Sequence, residues 1–263
     1  MDGKRIILTG AAGGIGAHLA RLLAARGARL CLTDRDGTGL DGLCETLGND
    51  RAVGIVADIC RPEGRSEVLG QARDRFGGVD ILINAAGINP FGVYAKMDAA
   101  LIERTMAVNV LAPMLLTREV LPAMLAQNSG RIVNIGSTFG SIGFAWFSTY
   151  SASKFALRGF SQALRRELAD SGIDVIYIAP RAVRTAINSA AVYRMAEATR
   201  MNMDDPDAVA RQILAGICRG SKERYLGFPE SLFVRINSVL PGIVDRATRK
   251  QNRIARRYAD TAG

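Results

Sequence analysis

The sequence predicts a single α/β domain, a doubly wound parallel sheet of seven strands with helices on both faces, followed by a helical, basic C-terminal extension. Three observations predict it. Seven apolar runs of strand length (RIILTG, ARLCLTD, RAVGIVAD, VDILINAAG, GRIVNIGS, GIDVIYIAP and ERYLGFP) recur with helical stretches between them. Continuous rather than alternating apolar strands are what a sheet buried on both faces requires. The first run leads directly into a glycine-rich turn, and the length of 263 residues suits one large domain with a substantial core.

In chain order, the first strand and its glycine turn open an alanine-rich helix from about Gly14 to Arg26. A polar helix follows the second strand. The third strand leads into a helix from about Pro62 to Phe76, and the fourth into a long helix from Asp98 to about Gln127. The fifth strand precedes the helix carrying STYSASK (148–154), and the sixth precedes a last helix from about Pro206 to Arg219. Right-handed crossovers would place these helices on both faces. The periodic part ends near Phe228, so the chain divides into a dinucleotide-binding and catalytic domain, 1–228, and an extension, 229–263. The N-terminus shows no signal-peptide pattern, and no stretch approaches the roughly 18 apolar residues of a membrane span. Cys31, Cys44, Cys60 and Cys218 have no metal or redox spacing, and His18 is the only histidine. A reducing cytoplasm and no protein-bound metal are therefore expected.

Glycines 10, 14 and 16 sit between the first strand and the first helix. There Gly10 can take a tight turn, Gly14 can let backbone approach a pyrophosphate, and Gly16 can permit close packing of helix on strand. The helix N-terminus offers unpaired N–H groups to phosphate. The second strand ends at Asp34, 18 residues beyond Gly16, near the spacing of an acid that accepts hydrogen bonds from a ribose and repels a 2′-phosphate. This favours NAD. Arg35 follows directly and keeps NADP open.

These residues resemble the cofactor motif of the short-chain dehydrogenase/reductase family, a Rossmann-type fold, with Thr9-Gly10, Gly14, Ile15 and Gly16 in place. The resemblance runs over roughly residues 4–228. Asp58, followed by Ile59, matches the acid placed near adenine, and Asn84, Ala85 and Gly87 in INAAG resemble the Asn-Asn-Ala-Gly element, with Ala85 replacing the second asparagine. Asn109, Ser137, Tyr150 and Lys154 complete the catalytic set that the resemblance implies. Pro180, Val183 and Thr185 match residues lining the nicotinamide. The resemblance further implies that Lys154 holds the nicotinamide ribose and that Asn109 anchors a proton-relaying water.

The residues carry a chemical reason of their own. Only five of the 34 basic residues are lysine, and one of them, Lys154, lies four positions after Tyr150. At that spacing two helical side chains share a face. An adjacent ammonium favours the phenolate and is expected to bring Tyr150 towards working pH for acid–base work on a secondary alcohol or ketone. Ser137, at a strand end, would hold the reacting oxygen.

Two departures from the family pattern stand out. Arg181 occupies the usual glycine of a Pro-Gly pair; it and Arg184 either face an acidic substrate group or are simply solvated. The second is the extension. Residues 219–257 hold ten bases and three acids, +7 of the chain's net +9. Leu232, Phe233, Ile236, Val239 and Leu240 share a helical face that Pro241-Gly242 ends, and a basic stretch follows. Three readings compete: peripheral membrane contact through 229–257, packing on the domain or a partner subunit, and, least favoured, nucleic-acid binding. Phe139, Ile142, Phe144, Trp146 and Phe147, with Met195, Met201 and Met203 in a lid over 187–204, suit a lipophilic substrate. The expected function is an NAD-dependent oxidoreductase of a lipophilic alcohol or ketone, acting as a homodimer or higher homo-oligomer. The alternatives are an NADPH-dependent ketoreductase of acyl-type substrates and a non-catalytic NAD sensor.

Overall fold

A computed structural model describes residues 1–48 and 50–260; Asn49 and the last three residues of the extension lie outside the described residues. Seven parallel strands form one sheet in the order β3-β2-β1-β4-β5-β6-β7. They are β1 (Arg5–Thr9), β2 (Arg29–Asp34), β3 (Ala52–Val56), β4 (Ile81–Asn84), β5 (Gly130–Ile135), β6 (Ile173–Ala179) and β7 (Glu223–Tyr225). β1 is central, with Ile6 opposite Leu30 on one side and Ile81 on the other. Its side chains alternate between two cores: Ile6 and Leu8 enter one, Ile7 the other. This two-sided burial accounts for the unbroken apolar strands.

Helices α1 (Gly14–Ala24), α2 (Gly37–Leu47) and α8 (Pro206–Arg219) cover the first face, through Leu19, Leu40 and Ile213 among others. Helices α3 (Pro62–Phe76), α5 (Ala112–Ala126) and α6 (Ser148–Glu167) cover the second, through Val68, Leu116 and Leu164. Both α3 and α8 begin with proline in the first turn and stop at a left-handed glycine, Gly77 or Gly220, the asymmetry that pre-set φ at the start and free φ at the end favour. The chain reverses its winding between β1 and β4, and a ligand crevice opens there at the carboxyl ends of the strands.

The long helix after Asp98 is present but is not uniform. It runs as α4 (Ala99–Met106), a π-helical turn (Ala107–Leu111) and α5, and Asp98 caps its start by accepting from the Ala100 amide. These 28 residues are long and apolar enough to cross a membrane, contrary to expectation. One face of the stretch belongs to the core, since Thr105, Leu116, Val120 and Met124 are buried in the domain.

The extension forms two helices, α9 (Glu230–Val239) and α10 (Pro241–Ala259). Pro241 does end the apolar helix, but it also opens the next one from its first turn. The inner faces of both pack on the domain. Val234 and Val244 meet Ile142, while Ala255 and Ala259 join Phe91, Phe147 and α7 (Ala190–Ala198) through Val192 and Met195. Trp146 Nε1 donates to the Asn252 carbonyl at 3.0 Å.

Candidate active site

The dinucleotide end of the crevice is built from backbone. Gly10 has φ +68°, and a Cβ there would lie 2.7 Å from Ala86; one on Gly14 would meet Thr185 Cγ2 at 2.5 Å, and one on Gly16 would run into the Gly10 carbonyl. Each glycine is thus required by its neighbours. Thr9 Oγ1 accepts from the Ala85 and Ala86 amides at 3.1 Å, tying the glycine turn to the strand beside it. A cavity of about 500 Å³ opens here, lined by Gly10, Gly14, Ile15, Gly16, Asp34, Arg35, Asp58, Ile59, Ala85, Gly87 and Thr185. Asp34 Oδ2 accepts from Ala12 N at 3.0 Å and Oδ1 from Arg35 N at 2.7 Å, so the acid is pinned at the groove wall while lone pairs remain. The Arg35 side chain is exposed. A glycine cradle at a helix N-terminus beside a fixed acid fits a dinucleotide.

Asn84 departs from expectation. It is buried outside the cavity lining, and its Nδ2 donates to Asn134 Oδ1 at 2.8 Å; Asn134 in turn donates to Ser161 Oγ on α6 at 2.8 Å. Its amide thereby locks β4 and β5 to the helix carrying Tyr150, while its Oδ1 is buried with no partner among the described residues. The residue at the crevice is instead Asn89. It lines both this cavity and the next one, and its Oδ1 is buried with no partner among the described residues.

Ser137, Tyr150 and Lys154 come together around a second cavity of about 110 Å³, also lined by Pro180, Val183, Thr185 and Gly87. Ser137 stands at the end of β5, its Oγ accepting from the Phe139 amide at 3.1 Å. Lys154 Nζ donates to the Ile135 carbonyl at 3.1 Å and lies 5.7 Å from the Tyr150 ring centroid. Asn109 sits in the π-helical turn. Its Oδ1 accepts from Ile88 N, and its Nδ2 donates to Ile88 O and Ser153 Oγ, each at 2.9 Å. A Cβ on Gly87 would meet Asn109 Oδ1 at 3.3 Å and Lys154 Nζ at 3.7 Å, so glycine lets these two groups converge.

The electrostatics correct one expectation. Burial pushes the Tyr150 phenol up to about 12, and its hydrogen bond to Ser137 only partly opposes this. Burial also brings Lys154 down to about 8. Both groups are desolvated together, so the neutral forms gain, and the ammonium alone does not bring the phenol towards neutrality. Sequence reasoning also missed Tyr177. Its hydroxyl accepts from Ser137 N at 3.4 Å and donates to Ser137 O at 3.2 Å, fixing the backbone of that serine from beneath. A tyrosine in an apolar strand gives no signal of such a role.

Arg181 neither faces a substrate acid nor stands in solvent. It forms a fork on Asp204, Nε–Oδ2 2.9 Å and Nη2–Oδ1 2.7 Å, and its Nη1 donates to Glu230 Oε2 at 2.8 Å and the Phe228 carbonyl at 2.9 Å. Among described non-glycine residues only Asn128, Trp146 and Arg200 have positive φ, so arginine is accommodated without left-handed backbone. Arg184 is exposed. The catalytic cavity shares Phe139, Arg181, Ala182 and Met201 with a third cavity of about 240 Å³, walled by Ile142, Phe144, Phe233 and Val244 on one side and by Arg200, Asn202, Glu230, Thr248 and Gln251 among its polar groups. The lid methionines divide: Met201 and Met203 line the catalytic cavity, whereas Met195 is buried among α7 and α10.

Comparison with known proteins agrees with this geometry. The profile described as short chain dehydrogenase matches residues 4–196. A ketoacyl reductase from Nostoc sp. is 33% identical over 257 residues, covering 95% of this chain and 89% of its own. A 3-oxoacyl-[acyl-carrier-protein] reductase from Escherichia coli is 34% identical over 223 residues, with 84% and 86% covered. Among solved structures, a short-chain dehydrogenase from Streptomyces avermitilis superposes with a TM-score of 0.80 at 29% identity, covering 96% of this chain and 98% of that one. A 3-ketoacyl-(acyl-carrier-protein) reductase from Brucella melitensis, complexed with NADH, gives 0.80 at 27% identity, with 88% and 99% covered. With the motif residues gathered at one crevice and these relatives spanning nearly the whole chain, the protein belongs to the short-chain dehydrogenase/reductase family of oxidoreductases.

Proposed function

We propose that this chain is an NAD-dependent oxidoreductase that interconverts a secondary alcohol and a ketone on a lipophilic small molecule. The observation that carries the reading is the adjacency of three cavities that share wall residues. Ser137, Tyr150 and Lys154 line the middle one, which shares Gly87, Asn89 and Thr185 with the glycine cradle and Phe139 and Met201 with the third cavity, whose wall combines an aromatic and aliphatic side with polar groups.

A bound nicotinamide dinucleotide supplies the hydride acceptor or donor, and its oxidised ring adds a positive charge. The protein's residues handle the proton. In oxidation, Tyr150 Oη takes the proton of the substrate hydroxyl as the phenolate and ends as the phenol; in reduction the phenol gives its proton to the carbonyl oxygen and is left as the phenolate. The Ser137 hydroxyl donates to the same oxygen and steadies charge that develops there. Lys154, anchored at the Ile135 carbonyl, favours the ionised phenol when it carries its proton. Asn109 acts through position, holding Ser153 and the Ile88 backbone beside Lys154. Asp34 supports NAD over NADP, because a fixed carboxylate accepts from ribose hydroxyls and repels a 2′-phosphate.

A second reading is an NADPH-dependent ketoreductase of acyl-type substrates, with Arg35 accepting the 2′-phosphate. It is favoured by the relatives that are ketoacyl reductases. Paired fluorescence titrations with NADH and NADPH, followed by reduction assays on ketones of rising chain length, test the proposal. The expected result is tighter NADH binding and faster turnover of longer ketones. Tighter NADPH binding with turnover confined to 3-oxoacyl substrates would favour the second reading, and no turnover of any ketone or alcohol would reject both.

A further inference from the structure

We infer that the outer face of α9 and α10 is a docking surface for an anionic membrane. The inference rests on the surface of these helices and not on the reading of the active site.

Helix α10 has two faces. Val244, Thr248, Ala255 and Ala259 turn inward, and the valine and alanines are buried on the domain. On the opposite side Ile243, Arg246, Lys250, Arg253 and Arg257 follow one another at helical spacing, all exposed. None of these four cations, nor Arg235 and Arg249 beside them, has an ion pair or side-chain hydrogen bond among the described residues. The extension's acids leave the stripe strongly positive: Glu230 is taken by Arg181, Asp260 lies at the far end with Lys96 and Arg256, and Asp245, exposed beside Arg246 and four positions before Arg249, is a single carboxylate among six cations.

The apolar part lies at one end of this stripe. At the corner between the helices, Val239 is 76% exposed, and Leu240 and Ile243 are each 53% exposed. Their neighbours Val234 and Val244 already supply the packing to the domain, so the exposed set is not needed to hold the extension in place. An apolar wedge beside unpaired cations is the pattern of an interfacial helix that inserts among lipid tails while its arginines meet anionic headgroups. Charge complementarity selects this occupant. A second copy of the chain would bring like charges together, and nucleic acid would match the cations while leaving the apolar corner unburied.

The test is co-sedimentation of the full chain with vesicles of equimolar phosphatidylcholine and phosphatidylglycerol, and with phosphatidylcholine alone. Binding to the first, weakened by salt and at least about 10-fold poorer to the second, is expected. The triple variant R246A/K250A/R253A should weaken partition by about 100-fold, at roughly one kcal/mol per basic residue. The separate L240D/I243D variant should also lose binding. All three positions of the first variant and both of the second point outward, and thermal melting and NADH binding check that each variant stays folded. No binding by the folded wild-type chain overturns the inference, as does binding unchanged in both variants. Binding lost only with the cations and matched by duplex DNA would assign the stripe to nucleic acid instead. A dimer abolished by L240D/I243D without vesicle binding would assign the corner to a second copy.

Discussion

Lys154 is buried and Tyr150 beside it is partly buried, and each is held away from its ordinary ionisation. Folded Lys154 loses its proton near pH 8, against an ordinary value of 10.5. Between those values the unfolded chain binds more protons, so the cofactor-free protein gains stability as pH rises through that window. Tyr150 acts in the opposite sense: folded it titrates near 12, against 10.0, so stability falls as pH rises through that range. Lys154→Met is therefore expected to raise the melting temperature at neutral pH and to flatten the rise above pH 8, while turnover drops at least about 100-fold; pH-dependent melting curves with parallel assays check this. For cofactor choice, Asp34→Ala should shift the NADPH to NADH affinity ratio about 10-fold towards NADPH, the effect of removing roughly 1.4 kcal/mol of repulsion. At this scale the sequence was readable wherever a residue's chemistry is its own. Tyr150, Lys154 and Asp34 are named by side-chain type and spacing, and Ser137 by the family resemblance. Asn84, Tyr177 and Asn89 were not readable, because their roles depend on partners 40 or more positions away in the first two cases and on an unpartnered buried oxygen in the third.

Elements were legible where their ends are written locally. The limits Pro62–Phe76 and Pro206–Arg219 coincide with the observed α3 and α8, because proline starts and glycine stops need no tertiary information. The π-helical turn at Asn109 was not legible; the registry shift that carries its amide to Ile88 and Ser153 is decided by what packs beside it. Nor was the clasp at Arg181. One arginine after β6 ties the end of the lid, through Asp204, to the start of α9, through Glu230. Its removal leaves two partly buried carboxylates without their cation. Arg181→Gly should thus cost about 2 kcal/mol of stability and expose the 227–230 junction to proteolysis; denaturant melts and limited digestion with a protease of broad specificity measure both. The wall of the third cavity is tested separately. Thr248→Phe, which fills part of the 240 Å³ space, should cut kcat/KM for long-chain ketones about 10-fold or more while short ketones change by less than about two-fold.

On the scale of the whole molecule, the sheet order and two-sided core follow from features the sequence displays openly, since an apolar strand repeated seven times between helices has few other solutions. What the sequence could not fix was how the extension divides its faces. Its inward residues join the clusters around Ile142 and Phe147, and those clusters exist only once the loop after β5 and α7 are folded. Assembly is a further proposal at this scale. Leu101, Leu111, Met114 and Leu125 on the α4–α5 helix and Phe155 on α6 are exposed, an apolar surface suited to pairing across a two-fold axis. Light scattering should give a dimer, and Leu111→Arg with Phe155→Arg should yield a monomer. Proton transfer by Tyr150 is tested most directly by measuring turnover and NADH affinity together in Tyr150→Phe. Turnover reduced by about 100- to 10,000-fold with NADH affinity unchanged is the predicted result, and turnover equal to that of the wild-type chain would contradict it.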